Sequence, residues 1–388
     1  MVRILYDEKL LETLKRVYGC DLEKFLEAIT RPTPRLYARV NILKTSPNQV
    51  IESIRSRGID VFKDEGIPEA IYFPVEGPEK LNELDLKIYV DKRAAESIIL
   101  GANLYTPGII KCDRRVRKGS EVCIVAPNGD VIAIGIARMS CEEAITKQRG
   151  LFVEVTKSLY KAPHIIELQE YKEGLIYPQS LPAIITSKIL DPKPGEVIID
   201  MCAAPGGKTG HIVELTRGRA FIIAFDHSKT KLERMKVEMR RLGHDSLVEI
   251  WRADSRYLSM DFPWLVGKVD KILIDPPCTA LGVRPKVIDE KKYEDVLNAS
   301  NYQFQFLKEA VKIIKSRGVI VYSTCTVTIE ENEEIIERAI KELDLEPEKI
   351  DIGIGTRGIL GNYRDFYIRF HPHIHGTPGY FIAKLRKR

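Results

Sequence analysis

Apolar residues near the amino terminus recur at three- and four-residue steps: Leu10, Leu11, Leu14, Val17, Leu22, Phe25, Leu26 and Ile29. This spacing predicts amphipathic helix over residues 1–30, ended by Pro32 and Pro34. LYARVNIL then reads as a strand around Val40 and Ile42, residues 48–57 as helix, and AIYFPV at 70–75 as extended chain. Such a mixture suits a small α+β segment over residues 1–90. Residues 91–166 change character. After one helical stretch, DKRAAESIILGANL, come the short β-rich runs EVCIVAP, VIAIGIARM and GLFVEVTKSLY. Asn128-Gly129-Asp130 between two of them is a hairpin signal, and the set predicts a small pseudobarrel. From residue 167 to 388, strand and helix patterns alternate. Buried-strand runs at 196–201, 220–226, 247–254, 271–277 and 318–325 are separated by helical patterns at 208–216, 229–242, 301–316 and 330–343, and YFIAKL supplies a last strand, expected antiparallel. Strands spaced by helices predict an α/β, doubly wound, Rossmann-like parallel sheet. The final LRKR reads as a frayed, solvated tail.

Composition narrows the class. The chain has 388 residues, 44% of them hydrophobic, enough for more than one core. No apolar run reaches the roughly 20 residues of a membrane helix, and the first residues lack the apolar core of a secretory signal. The seven cysteines form no CxxC pair, which points away from a zinc ribbon or a disulfide framework. A reduced, cytoplasmic protein is expected, with no obligatory protein partner evident. The net charge of +5 is small, but the middle segment is its basic part, with Lys111, Arg114, Arg115, Arg117 and Lys118 clustered. That cluster could attract phosphates or be a solvated hairpin face.

The first candidate site is Asp200-Met201-Cys202-Ala203-Ala204-Pro205-Gly206-Gly207-Lys208-Thr209, after a strand and at the start of a helix. Small residues there let backbone N–H groups approach a ligand at the strand ends of a doubly wound sheet. A phosphate-binding GxxxxGK[ST] loop fails, because its first glycine falls on Cys202. Asp226, Asp254 and Asp275 close the next three strands in turn. A carboxylate accepting both ribose hydroxyls and another accepting from an adenine amine suit S-adenosylmethionine better than a nucleoside triphosphate.

The second site is Asp275-Pro276-Pro277-Cys278 and the third Ser323-Thr324-Cys325-Thr326. Two prolines end a strand in a stiff, extended turn, and neighbouring strand ends would bring Cys278 near Cys325. Cytosine carbon 5 is a poor nucleophile until a thiolate adds at carbon 6 and makes the ring an enamine. Asp275 is placed to hydrogen-bond the ring nitrogen as charge develops. One thiol can add and the other assist release. Spacing alone does not say which does which.

DMCAAPGGKT, DPPC and STCT, in this order and over residues 177–388, resemble the Sun/Fmu family of RNA cytosine-C5 methyltransferases. The resemblance implies Cys325 as nucleophile, Cys278 in product release, Lys208 and Asp275 beside the reacting centre, and S-adenosylmethionine held by the loop from Cys202 to Lys208 with Asp226, Asp254 and Asp275. RVNILK resembles that family's RRM-like amino-terminal segment, and residues 91–166, through GANLYTPGI, the hairpin and VIAIGIA, resemble a PUA domain. This architecture is similar to the branch that methylates the acceptor-stem cytidine at tRNA position 72, which implies contact with the acceptor stem and 3′ end. An rRNA substrate, or a non-catalytic RNA-binding assembly factor, are the alternatives. His371, His373 and His375 alternate, and on a strand would share a face as metal ligands can. No Cys or carboxylate completes a set, so packing or RNA contact, and no metal, is expected.

Overall fold

The computed structural model describes residues 3–147 and 149–388. Met1 and Val2, within the helical reading of residues 1–30, and Gln148, within the β-rich segment, lie outside the described residues.

The sheet that carries the site runs, in spatial order, Val248–Arg252, Phe221–Asp226, Val197–Asp200, Val269–Ile274, Ile314–Thr324, Tyr380–Lys387, Ile368–Phe370 and Thr356–Arg357, with Leu345–Glu348 also paired to Tyr380–Lys387. The first five strands are parallel and Tyr380–Lys387 is antiparallel to its neighbour. The central strands are mostly apolar because both faces are covered, whereas the edge strand Val248–Arg252 is largely exposed. Ile198, Ile222, Leu273 and Val321 enter the core on one face, whereas Ile199, Ile223, Ile272 and Ile320 enter the other. The strand order reverses between Val197–Asp200 and Val269–Ile274, opening the ligand crevice of a doubly wound sheet at the strand carboxyl ends.

Residues 3–30 are not all helix. Arg3–Tyr6 is a strand paired in parallel with Ile288–Lys291, followed by helices Glu8–Tyr18 and Leu22–Thr30. Leu10, Leu14, Phe25 and Ile29 of these helices pack on Leu281, Val296 and Val327, so the apolar stripe read from the sequence is buried against the carboxy-terminal segment. A four-stranded antiparallel sheet follows, ordered Ile176–Pro178, Arg35–Val40, Ala70–Pro74 and Phe62–Lys63. Its helix Pro47–Arg55 starts with a Ser46–Gln49 capping box. Ile42 lies beyond the strand it was expected to join. The β-rich module is a six-stranded sheet that includes Lys87–Val90, so it begins ahead of Asp91, just as the strand Ile176–Pro178 ties residues after 167 back to the amino-terminal sheet.

Two further expectations change. The long helix is Tyr293–Ile313, starting earlier than 301. Leu385, Arg386 and Lys387 are not frayed but strand residues, held because Arg386 Nη2 reaches Glu348 Oε2 at 2.5 Å and Arg386 Nη1 donates to the Arg317 carbonyl at 2.8 Å.

Arg39, in the early RVNILK run, is completely buried. It makes a bidentate pair with Glu214 (2.8 and 2.9 Å), donates to the Gly207 carbonyl at 2.7 Å and to Gln179. Burial pushes the Glu214 carboxyl up, and the Arg39 charge opposes this. Replacing Arg39 with Met leaves a buried carboxylate uncompensated and is expected to cost about 3–5 kcal/mol, read as a lower denaturation midpoint; an unchanged midpoint refutes the linkage. Burial also holds the His211 imidazole down to about 4 and those of His244 and His371 to about 3. An unfolded histidine takes up its proton near pH 6.5, so between about 6.5 and 3 these three sites bind more protons in the unfolded chain, and the stability they contribute falls as pH falls. Urea melts at pH 7.5 and 5.0 test this, the lower midpoint being expected at pH 5.0.

Candidate active site

Two neighbouring strands deliver the thiols. In the parallel ladder Ile274 pairs with Tyr322, so Asp275, just past the end of its strand, stands beside Ser323, which still pairs with Ile382 on its other side. Pro276 and Pro277 have no N–H to continue the ladder, and the chain turns to Cys278; the partner strand runs out to Cys325. The two sulfurs stand 3.3 Å apart, both half-buried. The two sulfurs share a hydrogen bond, which lowers the Cys325 pKa below the ordinary thiol value. Burial and Asp275 oppose that shift, and the Lys208 charge adds to it. Cys278 is raised first by that shared bond and then by burial.

Beside the sulfurs lies a hydrogen-bonded ion pair. Lys208 Nζ sits 2.5 Å from Asp275 Oδ2, and Asp275 Oδ1 accepts from Ser323 Oγ at 2.8 Å and from the Tyr380 hydroxyl at 3.2 Å. Burial works against the Lys208 ammonium, but Asp275 and Tyr380 outweigh it and hold its pKa well above the usual lysine value. The Tyr380 phenol is pushed up by burial and by Asp275. Asp275 is thus an oriented acceptor, with one lysine, one serine and one tyrosine as its donors.

The glycine loop turns where expected. Gly206 has φ +104°, and a Cβ there would stand 2.8 Å from Met239 Cε; one at Gly207 would stand 2.8 Å from Tyr177. Beneath the loop, Asp200 accepts from Thr209 Oγ1 at 2.7 Å and is pushed up to about 6 by burial. A cavity of about 250 Å³ runs along the strand ends. Cys202, Ala204, Asp226, Asp254 and Asp275 line it together with both sulfurs. Ala203, Pro205, Gly207 and Lys208 line a second cavity of about 170 Å³ that shares Cys202, Ala204 and Asp275 with the first. Cys202 differs from Cys325: burial, then the charges of Asp200, Asp275 and Asp226, raise its thiol well above the ordinary value. It is a wall of the site with no thiolate to offer.

Asp226 Oδ1 accepts from the Ser228 amide at 2.8 Å. Asp254 is more engaged than a ligand-accepting carboxylate needs to be. Arg256 grips it at 2.9 and 2.5 Å and lowers its pKa. Arg256, Tyr380, and the wall residues Tyr302 and Phe306 escape a reading by motif. Tyr302 and Phe306 are four apart in a helical pattern, ring centroids 5.2 Å apart, and that spacing was the one available signal. Tyr380 and Arg256 carried none.

Lys111, Arg114, Arg115, Arg117 and Lys118 line neither cavity. Arg115 is paired with Asp113 at 2.7 Å and Arg117 donates to the Arg114 carbonyl at 2.6 Å. Lys111 stands 5.8 Å from the Tyr89 ring. The histidines are not on a strand: Pro372–His375 is a short helical turn. His371 is buried, and its ring lies 6.0 Å from His373 and 5.9 Å from His375. Among the described residues no group of three His, Cys, Asp or Glu could hold a metal ion.

Residues 187–386 match the family model described as 16S rRNA methyltransferase RsmB/F; residues 86–159 match the PUA domain, and residues 6–78 the ferredoxin-like domain of RsmF/B-like methyltransferases. A relative from Pyrococcus horikoshii named tRNA (cytosine(72)-C(5))-methyltransferase is 41% identical over 98% of this chain and 97% of its own. NSUN6 from Homo sapiens, named tRNA (cytosine(72)-C(5))-methyltransferase, is 27% identical over 87% of this chain and 79% of its own. A crystal structure of NSun6 from Pyrococcus horikoshii with SFG superposes with a TM-score of 0.92 at 40% identity and covers 98% of each chain. With one family model spanning more than half its length, and thiols, glycine loop and carboxylates in one cleft, the chain belongs to the RsmB/F methyltransferase family.

Proposed function

We propose that the protein is an S-adenosylmethionine-dependent tRNA cytosine-C5 methyltransferase that forms 5-methylcytosine at position 72 of the acceptor stem. The observation that carries the chemistry is the 3.3 Å approach of the Cys278 and Cys325 sulfurs beside the Lys208–Asp275 pair. The name and 97% coverage of the 41% identical relative support the substrate, and the structural neighbour bound to SFG, an S-adenosylmethionine analogue, supports the cofactor.

The residues present fit that cofactor. Asp226, its carboxylate already fixed by an amide, would accept the ribose hydroxyls, Asp254 would lie at the base, and the loop from Cys202 to Lys208, with Gly206 at a φ of +104°, would allow close backbone approach. When bound, S-adenosylmethionine supplies an electrophilic methyl group. Cys325, the thiol whose pKa is lowered, adds to carbon 6 of the cytosine and turns carbon 5 into a nucleophile. As negative charge develops on the ring, Asp275 accepts a hydrogen bond from the exocyclic amine and from the ring nitrogen once that nitrogen is protonated, with Lys208, Ser323 and Tyr380 fixing its orientation. Cys278 takes the carbon 5 proton as Cys325 departs. The target base leaves its stack to reach the sulfurs, at least cost near a helix end.

In this reading residues 91–166 hold the RNA, with Lys111, Arg114, Arg115, Arg117 and Lys118 as phosphate contacts, residues 1–90 flank it, and residues 167–388 catalyse. The seven free cysteines fit a reducing, cytoplasmic setting. Among the described residues no helix is long and apolar enough to cross a membrane.

Methyl transfer from labelled cofactor to tRNA transcripts, with the modified base mapped, decides the proposal. Methylation at cytidine 72 supports it; methylation of rRNA alone, or of no RNA, overturns it. Cys325→Ala is expected to abolish transfer, and Cys278→Ala to trap an RNA–protein adduct that survives denaturing electrophoresis; no adduct with Cys278→Ala rules out the division of labour. The thiolate requirement gives kcat/KM an acid limb. Because the Lys208 charge helps to lower the Cys325 pKa, Lys208→Met is expected to move that limb to higher pH, and a fixed limb argues against thiolate attack by Cys325.

A further inference from the structure

A single buried carboxylate ties the two cysteine loops together. Glu331 has no exposed surface. Its Oε1 accepts from the Thr279 amide at 2.9 Å and from Gln303 Nε2 at 3.0 Å; its Oε2 accepts from Thr279 Oγ1 at 2.5 Å and Thr328 Oγ1 at 3.0 Å. Those donors fill the roughly four lone-pair sites of a carboxylate. Thr326 Oγ1 lies 2.7 Å from Thr279 Oγ1 and 3.2 Å from Glu331 Oε2. Thr279 follows Cys278, and Thr326 follows Cys325. Gln303 also donates to the Pro277 carbonyl at 3.0 Å, on the other side of Cys278.

Burying a carboxylate is unfavourable unless its lone pairs are filled, and apolar side chains could pack the same space. What the carboxylate adds is geometry. Glu331 lines neither active-site cavity, so it acts through the loops it holds.

We propose that Glu331 is a positioning residue that sets the separation of the Cys278 and Cys325 sulfurs, and that product release depends on it more than addition does. The inference rests on the two-thiol reading above. Addition needs one sulfur at carbon 6. Release needs Cys278, as a thiolate once its own proton has passed to water, to take the carbon 5 proton while the carbon 6–sulfur bond still stands. The C–H electron pair then restores the carbon 5–carbon 6 double bond, and Cys325 leaves as thiolate. Only release requires both sulfurs at fixed places around one ring.

Glu331→Gln in the full chain keeps the volume and swaps one acceptor for a donor facing donors. Its kcat is expected to fall at least about tenfold, with the KM for tRNA within about twofold. The denaturation-resistant adduct is expected to accumulate toward the Cys278→Ala level. A second arm uses no RNA: diamide takes two hydrogen atoms from the thiols and leaves a disulfide, and mapped peptides report the 278–325 bond. Wild type is expected to form it and Glu331→Gln to form it at least about tenfold more slowly. Thr326→Val, which keeps the shape and removes one hydroxyl, shifts both readouts the same way and serves if Glu331→Gln does not fold. A wild-type disulfide rate with no adduct overturns the proposal, as does lost turnover without adduct. If wild type itself methylates nothing, the functional reading fails while the diamide arm still decides whether Glu331 sets the thiol separation.

Discussion

Parallel pairing of Val269–Ile274 with Ile314–Thr324 is the constraint on which the site depends. The two cysteines are 47 positions apart in sequence, and no local preference could bring them together. Sheet register does: it sets Asp275 beside Ser323, the prolines end one strand, and the sulfurs meet above the last rung. The apolar runs that hold that register are buried on both faces, so hydrophobic burial is what positions the thiols, and the polar contacts refine a placement already made.

The electrostatics follow from that placement. Lys208 is the cation beside two thiols and two carboxylates, and Asp275 binds it closely. Cys202 and Cys325 share a cavity and the Asp275 carboxylate as a neighbour, yet their thiols are driven in opposite directions. The difference is a partner: Cys325 shares a hydrogen bond with the Cys278 sulfur and feels the Lys208 charge, whereas at Cys202 burial and three carboxylates outweigh the Lys231 charge.

Much of this was legible in the chain, for a physical reason. The glycine loop, DPPC and STCT each place backbone and side chain through local geometry, so they could be read locally; the alternation of strand and helix gave the layer order. The remainder depends on partners distant in sequence. Tyr380 completes Asp275 from a strand that joins the sheet last. Glu331 reaches Thr279 across 52 positions. The strand Arg3–Tyr6 exists only because Ile288–Lys291 pairs with it, and its four residues were hidden within a helical stripe. The final LRKR looked like a loose end because its pairing with Glu348 cannot be seen from composition. Asp254 was expected to be open, but Arg256, two residues on, grips it, and a neighbour's rotamer is not readable from spacing.

Arg39 changes how the three segments are to be understood. They look like beads: each has its own sheet and each matches its own family model. Yet Arg39, on the amino-terminal sheet, bonds to the carbonyl of Gly207 in the catalytic loop, Ile176–Pro178 crosses back into that sheet, and Arg3–Tyr6 crosses the other way. The seams are stitched from both sides. A frame stitched in this manner cannot hinge between its amino-terminal sheet and its glycine loop without tearing open a buried ion pair.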